Sequence, residues 1–285
     1  MKKLGAVLAV FLLLTGCTSA FVYNRLDTLV AWYLEGLVTL NKSQRADLRE
    51  WLSETLDWHR DSELGRYAAF VRALAEDAGA SGGRATFERA EEQFRVFTRG
   101  VADRTAPEAA QLLLDLSDSQ IEELIANLEE RAQERLEEEQ ELLEKDDWHE
   151  HRAKQITKQF KRWVGRVQPE QVELIRKTAQ QLQPSYPEWL ESQRAWRAAL
   201  LDALSKRKQS PEVAVSELTT LLTDADDYWT AEYRAKLEAN RTRTIDLLVA
   251  LDASLVDAQR SELQTRLLKF AEDLESLAGT GEPAT

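Results

Sequence analysis

The only cysteine of this 285-residue sequence, Cys17, has a type and a position that predict a specific reaction. It follows Leu14, Thr15 and Gly16, at the end of an eleven-residue apolar stretch that two lysines precede. Small residues before a thiol at this place match the bacterial lipobox, in which the sulfur is acylated with palmitate-type chains before a peptidase cleaves. The alternative is an ordinary secretory signal that contains a cysteine by chance. Because no second cysteine exists, an internal disulfide is excluded.

Cleavage at Cys17 would define both the compartment and the organisation of the chain. The next residue is Thr18 and not Asp, which favours sorting to the outer membrane, on its periplasmic face, with the lipid anchor as the contact to the membrane. The tether would reach about 20–25 Å when extended. The expected parts are a signal peptide (1–16), an acylated cysteine with its tether (17–23), a helical body (24–278, with two lobes at about 24–150 and 151–278 as an option) and a disordered tail (279–285).

Charge and composition exclude several kinds of function. The 37 basic and 50 acidic residues leave a net charge of −13, which argues against nucleic acid as the main partner. No nucleophile triad, phosphate-binding loop or zinc spacing is visible, so we expect no enzyme activity, no cofactor and no metal. His149 and His151 stand two positions apart and would point in different directions on a helix. A hydrolase with a helical active site is kept as a third class.

Trp58, His59, Arg60 and Tyr67 form the candidate interaction patch. A histidine between an aromatic and a basic residue could titrate near neutral pH as it binds a partner. The alternative is a packed histidine that is hydrogen-bonded to a nearby carboxylate. The sequence leaves both interpretations open.

Apolar periodicity after residue 24 predicts an all-α fold, an elongated multi-helix bundle of antiparallel helices with no sheet. The apolar stripe of the first helix could be part of the core. Alternatively, the aromatic residues Trp32 and Tyr33 could touch the bilayer, together with Phe21 and Tyr23 before the helix. Proline at a first helical turn suits a helix start near Pro107. The helices are expected at about 24–38, 42–77, 84–104, from 107, 118–145, 151–166, 169–182, 187–207, 211–223, 224–251 and 257–277.

One pattern recurs at four helix starts, an aliphatic residue followed by a glutamine four positions later. The mechanism we favour is capping, in which Asn41 and Ser117 cap their helices and a glutamine three residues on reaches back to the cap. The unequal gaps between the glutamines exclude a regular solenoid. The pattern covers Leu40–Gln44, Leu116–Gln120, Val167–Gln171 and, more weakly, Leu255–Gln259.

Tyr23-Asn-Arg-Leu-Asp27, the Leu40–Gln44 helix start, and Trp58-His59-Arg60 followed by Glu63-Leu64 and Tyr67 resemble a proteobacterial family of helical lipoproteins without assigned activity. More distantly, the helix starts resemble the LTxxQ periplasmic chaperones, which bind unfolded clients. The first resemblance implies location and fold. We therefore expect a non-enzymatic interaction or structural module of the envelope with an envelope protein as partner, or alternatively a chaperone-like or stress-sensing client binder. The sequence leaves the oligomeric state open.

Overall fold

A computed structural model describes residues 22–80, 82–145 and 147–279, and within these ranges the chain forms helices and no strand. The all-α prediction is therefore confirmed. Cys17 and its lipobox residues Leu14, Thr15 and Gly16 lie outside the described residues. The helices are α1 (Leu26–Glu35), α2 (Lys42–Ser62), α3 (Leu64–Ala80), α4 (Gly83–Leu114), α5 (Asp118–Glu144), α6 (Trp148–Val164), α7 (Pro169–Gln181), α8 (Tyr186–Ser205), α9 (Pro211–Thr223), α10 (Ala231–Ala253) and α11 (Asp257–Gly279), with a 3₁₀ turn at Ala225–Tyr228.

The single helix predicted for residues 42–77 is wrong in one respect, because a turn at Glu63 divides it into α2 and α3. The Glu63 side chain is buried there and accepts a hydrogen bond from Arg66 Nη1 at 2.7 Å. Because the spacing of apolar residues continues across the turn, periodicity alone does not predict a break at Glu63.

The helix start predicted near Pro107 is also wrong, since Pro107 lies inside α4. Proline lacks a backbone N–H and costs a helix one hydrogen bond. Three residues later, Ala110 is fully buried in a cluster with Leu218 and Leu221 of α9. This packing compensates for the lost hydrogen bond, because tertiary burial supplies most of a helix's stability.

Helices from early and late parts of the chain share cores. In one cluster Leu64 and Tyr67 of α3 pack with Phe270 and Leu274 of α11. In a second, side chains of α4 and α5 meet those of α8 and α9. A third cluster joins α6, α7 and α10. The division of the body into two lobes stays a prediction. Gly279 is the last residue of α11, and the rest of the expected tail lies outside the described residues.

Candidate functional site

The chain that follows the acylation candidate is fixed to the body by an aromatic cluster, here called the N-terminal clamp: Tyr23, His59, Arg60 and Tyr67. The Tyr23 hydroxyl and His59 Nδ1 are 2.9 Å apart and share a hydrogen bond. The Arg60 guanidinium lies 5.6 Å from the centre of the Tyr23 ring, and the Tyr67 ring meets the His59 ring edge-on at 5.4 Å. Tyr23 is buried, so this segment is part of the fold.

Burial governs the ionisation of the clamp. Desolvation, with a smaller contribution from the neighbouring Arg60 charge, lowers the pKa of His59 to about 4. Desolvation also raises the pKa of Tyr23 to about 12, against the opposing effect of Arg60, and raises the pKa of Tyr67 further. At neutral pH His59 is therefore uncharged and its hydrogen bond to Tyr23 is intact.

The structure places the predicted interaction patch around this clamp. Tyr67 is buried in the α3–α11 core, and Trp58, His59 and Arg60 are half-buried. His59 has a phenol as its partner, where the packed-histidine interpretation expected a carboxylate. The Arg104 guanidinium lies 5.7 Å from the Trp58 ring. Binding of a partner through this patch stays a prediction.

Lowering the pH from 7 to 5 should destabilise the protein through His59. The unfolded chain takes up the proton at a pKa of about 6.5. The folded chain does so only near 4, so protonation favours the unfolded state. The contribution of neutral His59 is complete above about pH 6.5, declines as the pH falls toward 4, and has lost about 2 kcal/mol at pH 5. Urea unfolding at both pH values measures this loss.

His59→Gln is the comparison, because glutamine keeps a hydrogen-bonding atom for Tyr23 and does not titrate. The variant should lose about 2 kcal/mol less than the wild type between pH 7 and 5. Equal losses in the two proteins would contradict a role for His59 in the pH dependence.

The recurrent glutamines form a second constellation, in which two helix starts are joined by their side chains. Gln44 Nε2 donates to Gln120 Oε1 at 3.0 Å, and Gln120 Nε2 donates back to Gln44 Oε1 at 2.7 Å. Asn41 and Ser117 form the capping boxes that the sequence predicts. We call this pair of amides the first glutamine clasp; it joins the N-terminus of α2 to that of α5.

The same arrangement recurs between α7 and α11. Gln171 and Gln259 exchange two hydrogen bonds of 2.9 Å each, and both side chains are buried. This is the second glutamine clasp. Whereas the first clasp is half-exposed, the second lies in the interior, where an amide must satisfy all of its donors and acceptors.

One rule describes all four glutamines. Each Oε1 accepts from the backbone N–H three residues earlier, and each Nε2 donates to the carbonyl five residues before its partner glutamine. Both amide protons and both lone pairs are thereby used. The N–H groups belong to Asn41, Ser117, Gln168 and Val256, and the carbonyls to Asp115, Thr39, Ser254 and Arg166. Sequence reasoning identified the helix starts and missed their pairing, because a capping pattern carries no information about its partner.

The remaining polar candidates have structural partners. His149 Nδ1 lies 2.8 Å from the carbonyl oxygen of Ala179, and His151 Nε2 lies 2.6 Å from Gln155 Nε2. In the described ranges no three His, Cys, Asp or Glu side chains are grouped as metal ligands.

Among the described helices, none combines the length and the apolar character needed to cross a bilayer. A cavity of about 40 Å³ between α5, α6, α8 and α10 has Glu139, Trp148, Arg152, Tyr186 and Tyr233 in its wall.

Comparison with known proteins agrees with the first resemblance in one respect, that the matching family has no known function. No curated protein and no solved structure matches the chain. A family model, described as a family of unknown function (DUF6279), matches residues 36–234, which is more than half of the chain. The match contains the first glutamine clasp and Gln171 of the second. By this match, the chain belongs to the DUF6279 family of unknown function.

Proposed function

We propose that this chain is a lipoprotein of a bacterial envelope, acylated at Cys17 and held on the periplasmic face of the outer membrane. Its helical body acts without catalysis, as a structural or interaction module for another envelope protein. The lipobox, the apolar stretch before it and the absence of a second cysteine support the anchor.

The N-terminal clamp is the observation that carries the proposal. Tyr23 stands only six residues after Cys17 and is locked to α2 by His59 and Arg60. Six extended residues span about 20 Å, so the acylated residue and the body cannot separate further than that. A rigid attachment this close to the anchor suits a module that works at the membrane surface.

Several buried polar groups have their hydrogen-bond partners within the fold, which supports a structural role for the body. Asn240 accepts from the Gln183 N–H and donates to the Gln183 carbonyl, both at 2.8 Å. Ser192 donates to the Glu188 carbonyl and accepts from the Thr230 N–H. The second glutamine clasp saturates its own amides. Buried groups with such complete partners stabilise one packing arrangement.

Replacing Cys17 tests the anchor. In a Gram-negative host, Cys17→Ala should abolish incorporation of labelled palmitate and remove the mature protein from the outer-membrane fraction. A tethered acyl anchor accounts for essentially all of the membrane affinity in this proposal. Thr18→Ser is the matched control and should leave labelling and fractionation unchanged. Thr18→Asp should move the acylated protein to the inner membrane. Unchanged fractionation of Cys17→Ala would overturn the proposal.

The client-binding alternative depends on the helix-start pattern, which distantly resembles that of the LTxxQ chaperones. In this chain the four glutamines of the pattern are bonded to one another and to backbone carbonyls. The glutamines of the pattern therefore connect pairs of helices, and a client would have to bind another surface of the protein. A form without the lipid that slows the aggregation of a model client would favour this second candidate.

A further inference from the structure

Helix α1 and the residues just before it carry an unusual concentration of exposed apolar side chains. Of the ten large apolar residues that are exposed in the described ranges, four lie within residues 22–33. They are Val22, Leu29, Trp32 and Tyr33, here called the α1 face, and Trp32 is 75% exposed. The other six are scattered over α4, α5, α8, α9, α10 and the turn before α11. Concentrated exposed apolar surface marks an interaction site, whereas scattered residues do not.

The opposite side of α1 is packed on the body, which fixes how the α1 face is presented. Ala31 is buried in a cluster with Leu48 and Leu52 of α2, and Val30 and Leu34 pack against the same cluster. Leu29, Trp32 and Tyr33 stand at positions i, i+3 and i+4 and share the outer side of the helix. The interpretation of the α1 apolar stripe as core therefore holds for Val30 and Leu34, which face α2, and not for the residues on the outer side.

Arginines border the α1 face. The Arg131 guanidinium lies 4.8 Å from the centre of the Tyr33 ring and donates to the Gly36 carbonyl at 2.8 Å. Arg45 and Arg49 both contact Glu35 at the end of α1, at 3.5 Å. Tryptophan and tyrosine beside arginine is the composition typical of side chains at a membrane–water interface.

We propose that the α1 face lies in the interfacial region of the lipid bilayer that holds the acyl chains of Cys17. This inference rests on the proposed acylation. Val22 is five residues after Cys17, a reach of about 17 Å, and the clamp fixes Tyr23 to the body. Val22, the first residue of the α1 face, therefore stays within about 17 Å of the acylated residue. Because the whole protein is strongly acidic, an anionic lipid surface repels most of it and favours contact through the arginine border.

Spin labels on the acylated full-length protein test this placement. Since Cys17 is the only cysteine and its sulfur would be acylated, Leu29→Cys and Tyr33→Cys each provide one labelling site. Val96→Cys and Val213→Cys are matched controls on α4 and α9: the four native side chains are 47%, 52%, 46% and 48% exposed. The labelled proteins are reconstituted in vesicles of phosphatidylethanolamine and phosphatidylglycerol. Collisions of each label with oxygen and with a water-soluble nickel chelate are then measured.

We expect the oxygen-to-nickel collision ratio at positions 29 and 33 to exceed that at 96 and 213 by about threefold or more, since oxygen concentrates among acyl chains and the chelate stays in water. Equal ratios at all four positions, in protein that carries acyl groups and cofloats with the vesicles, would overturn this inference alone. Protection from both reagents at 29 and 33 would also overturn it, and would indicate a second copy of the chain on the α1 face. Protein that lacks acyl groups and stays off the vesicles would overturn the proposed function and this inference with it.

Discussion

Gln171→Ala should lower the free energy of unfolding by about 3 to 4 kcal/mol, one of the largest losses expected for a single substitution in this protein. The change removes the partner of the buried Gln259 amide and the acceptor of the Gln168 N–H. It also leaves a cavity where a fully buried side chain stood. Each interior polar group that loses its partner costs about 1 to 3 kcal/mol, and cavity formation adds to this. Urea unfolding at neutral pH measures the loss.

The first clasp supplies the matched control. Gln44→Ala removes the corresponding bonds to its partner glutamine, a backbone N–H and a carbonyl at a half-exposed site, where water replaces the lost partners. Its cost should be about 1 kcal/mol, the value of a helix cap. Equal losses for Gln44→Ala and Gln171→Ala would contradict the importance of burial.

A double substitution in the second clasp tests whether its two amides act as a pair. In Gln171→Leu/Gln259→Leu, the second substitution should cost less than it does alone, because its partner amide is already gone. The expected coupling is about 1 to 3 kcal/mol. Additive losses would mean that the two glutamines act separately as helix caps.

Arg260→Met should cost about 2 to 3 kcal/mol, because Arg260 joins α3, α10 and α11 through partly buried hydrogen bonds and an ion pair. Its Nη1 donates to the Ala78 carbonyl at 2.7 Å and to Asp252 Oδ1 at 3.0 Å, and its Nη2 donates to the Asp252 carbonyl at 2.8 Å. The Asp252 carboxylate has little access to water, so the substitution takes a charged partner away from a group that solvent stabilises poorly. Thermal or urea unfolding of the variant gives the loss.

Arg72→Met is the control, since Arg72 and Glu275 also connect α3 to α11. This pair is bidentate, with two bonds of 2.7 Å, but both side chains are substantially exposed. Exposed ion pairs contribute about 0 to 1 kcal/mol, so the substitution should have little effect. If Arg72→Met costs as much as Arg260→Met, burial is not what makes the Arg260 contacts valuable.

Local features of this protein were readable from its sequence. Apolar periodicity and the proline and capping positions placed most helices to within a few residues, and the capping boxes at Asn41 and Ser117 follow from residue type and spacing. The exceptions were the turn at Glu63, the uninterrupted α4 around Pro107, and the helix predicted from residue 224, which begins only at Ala231 after the 3₁₀ turn Ala225–Tyr228.

The pairing of these local features required the tertiary structure. The amides of the two clasps meet across 76 and 88 residues, and nothing near either glutamine specifies its partner. In the sequence, Tyr33 belongs to the apolar stripe of the first helix, and Tyr23, Trp32 and Tyr33 are equal candidates for contact with the bilayer. The fold buries Tyr23 against His59 and leaves Trp32 and Tyr33 exposed. Helix formation depends on neighbours within a few residues, whereas the side chains that share a core depend on which helix faces pack together across the whole chain.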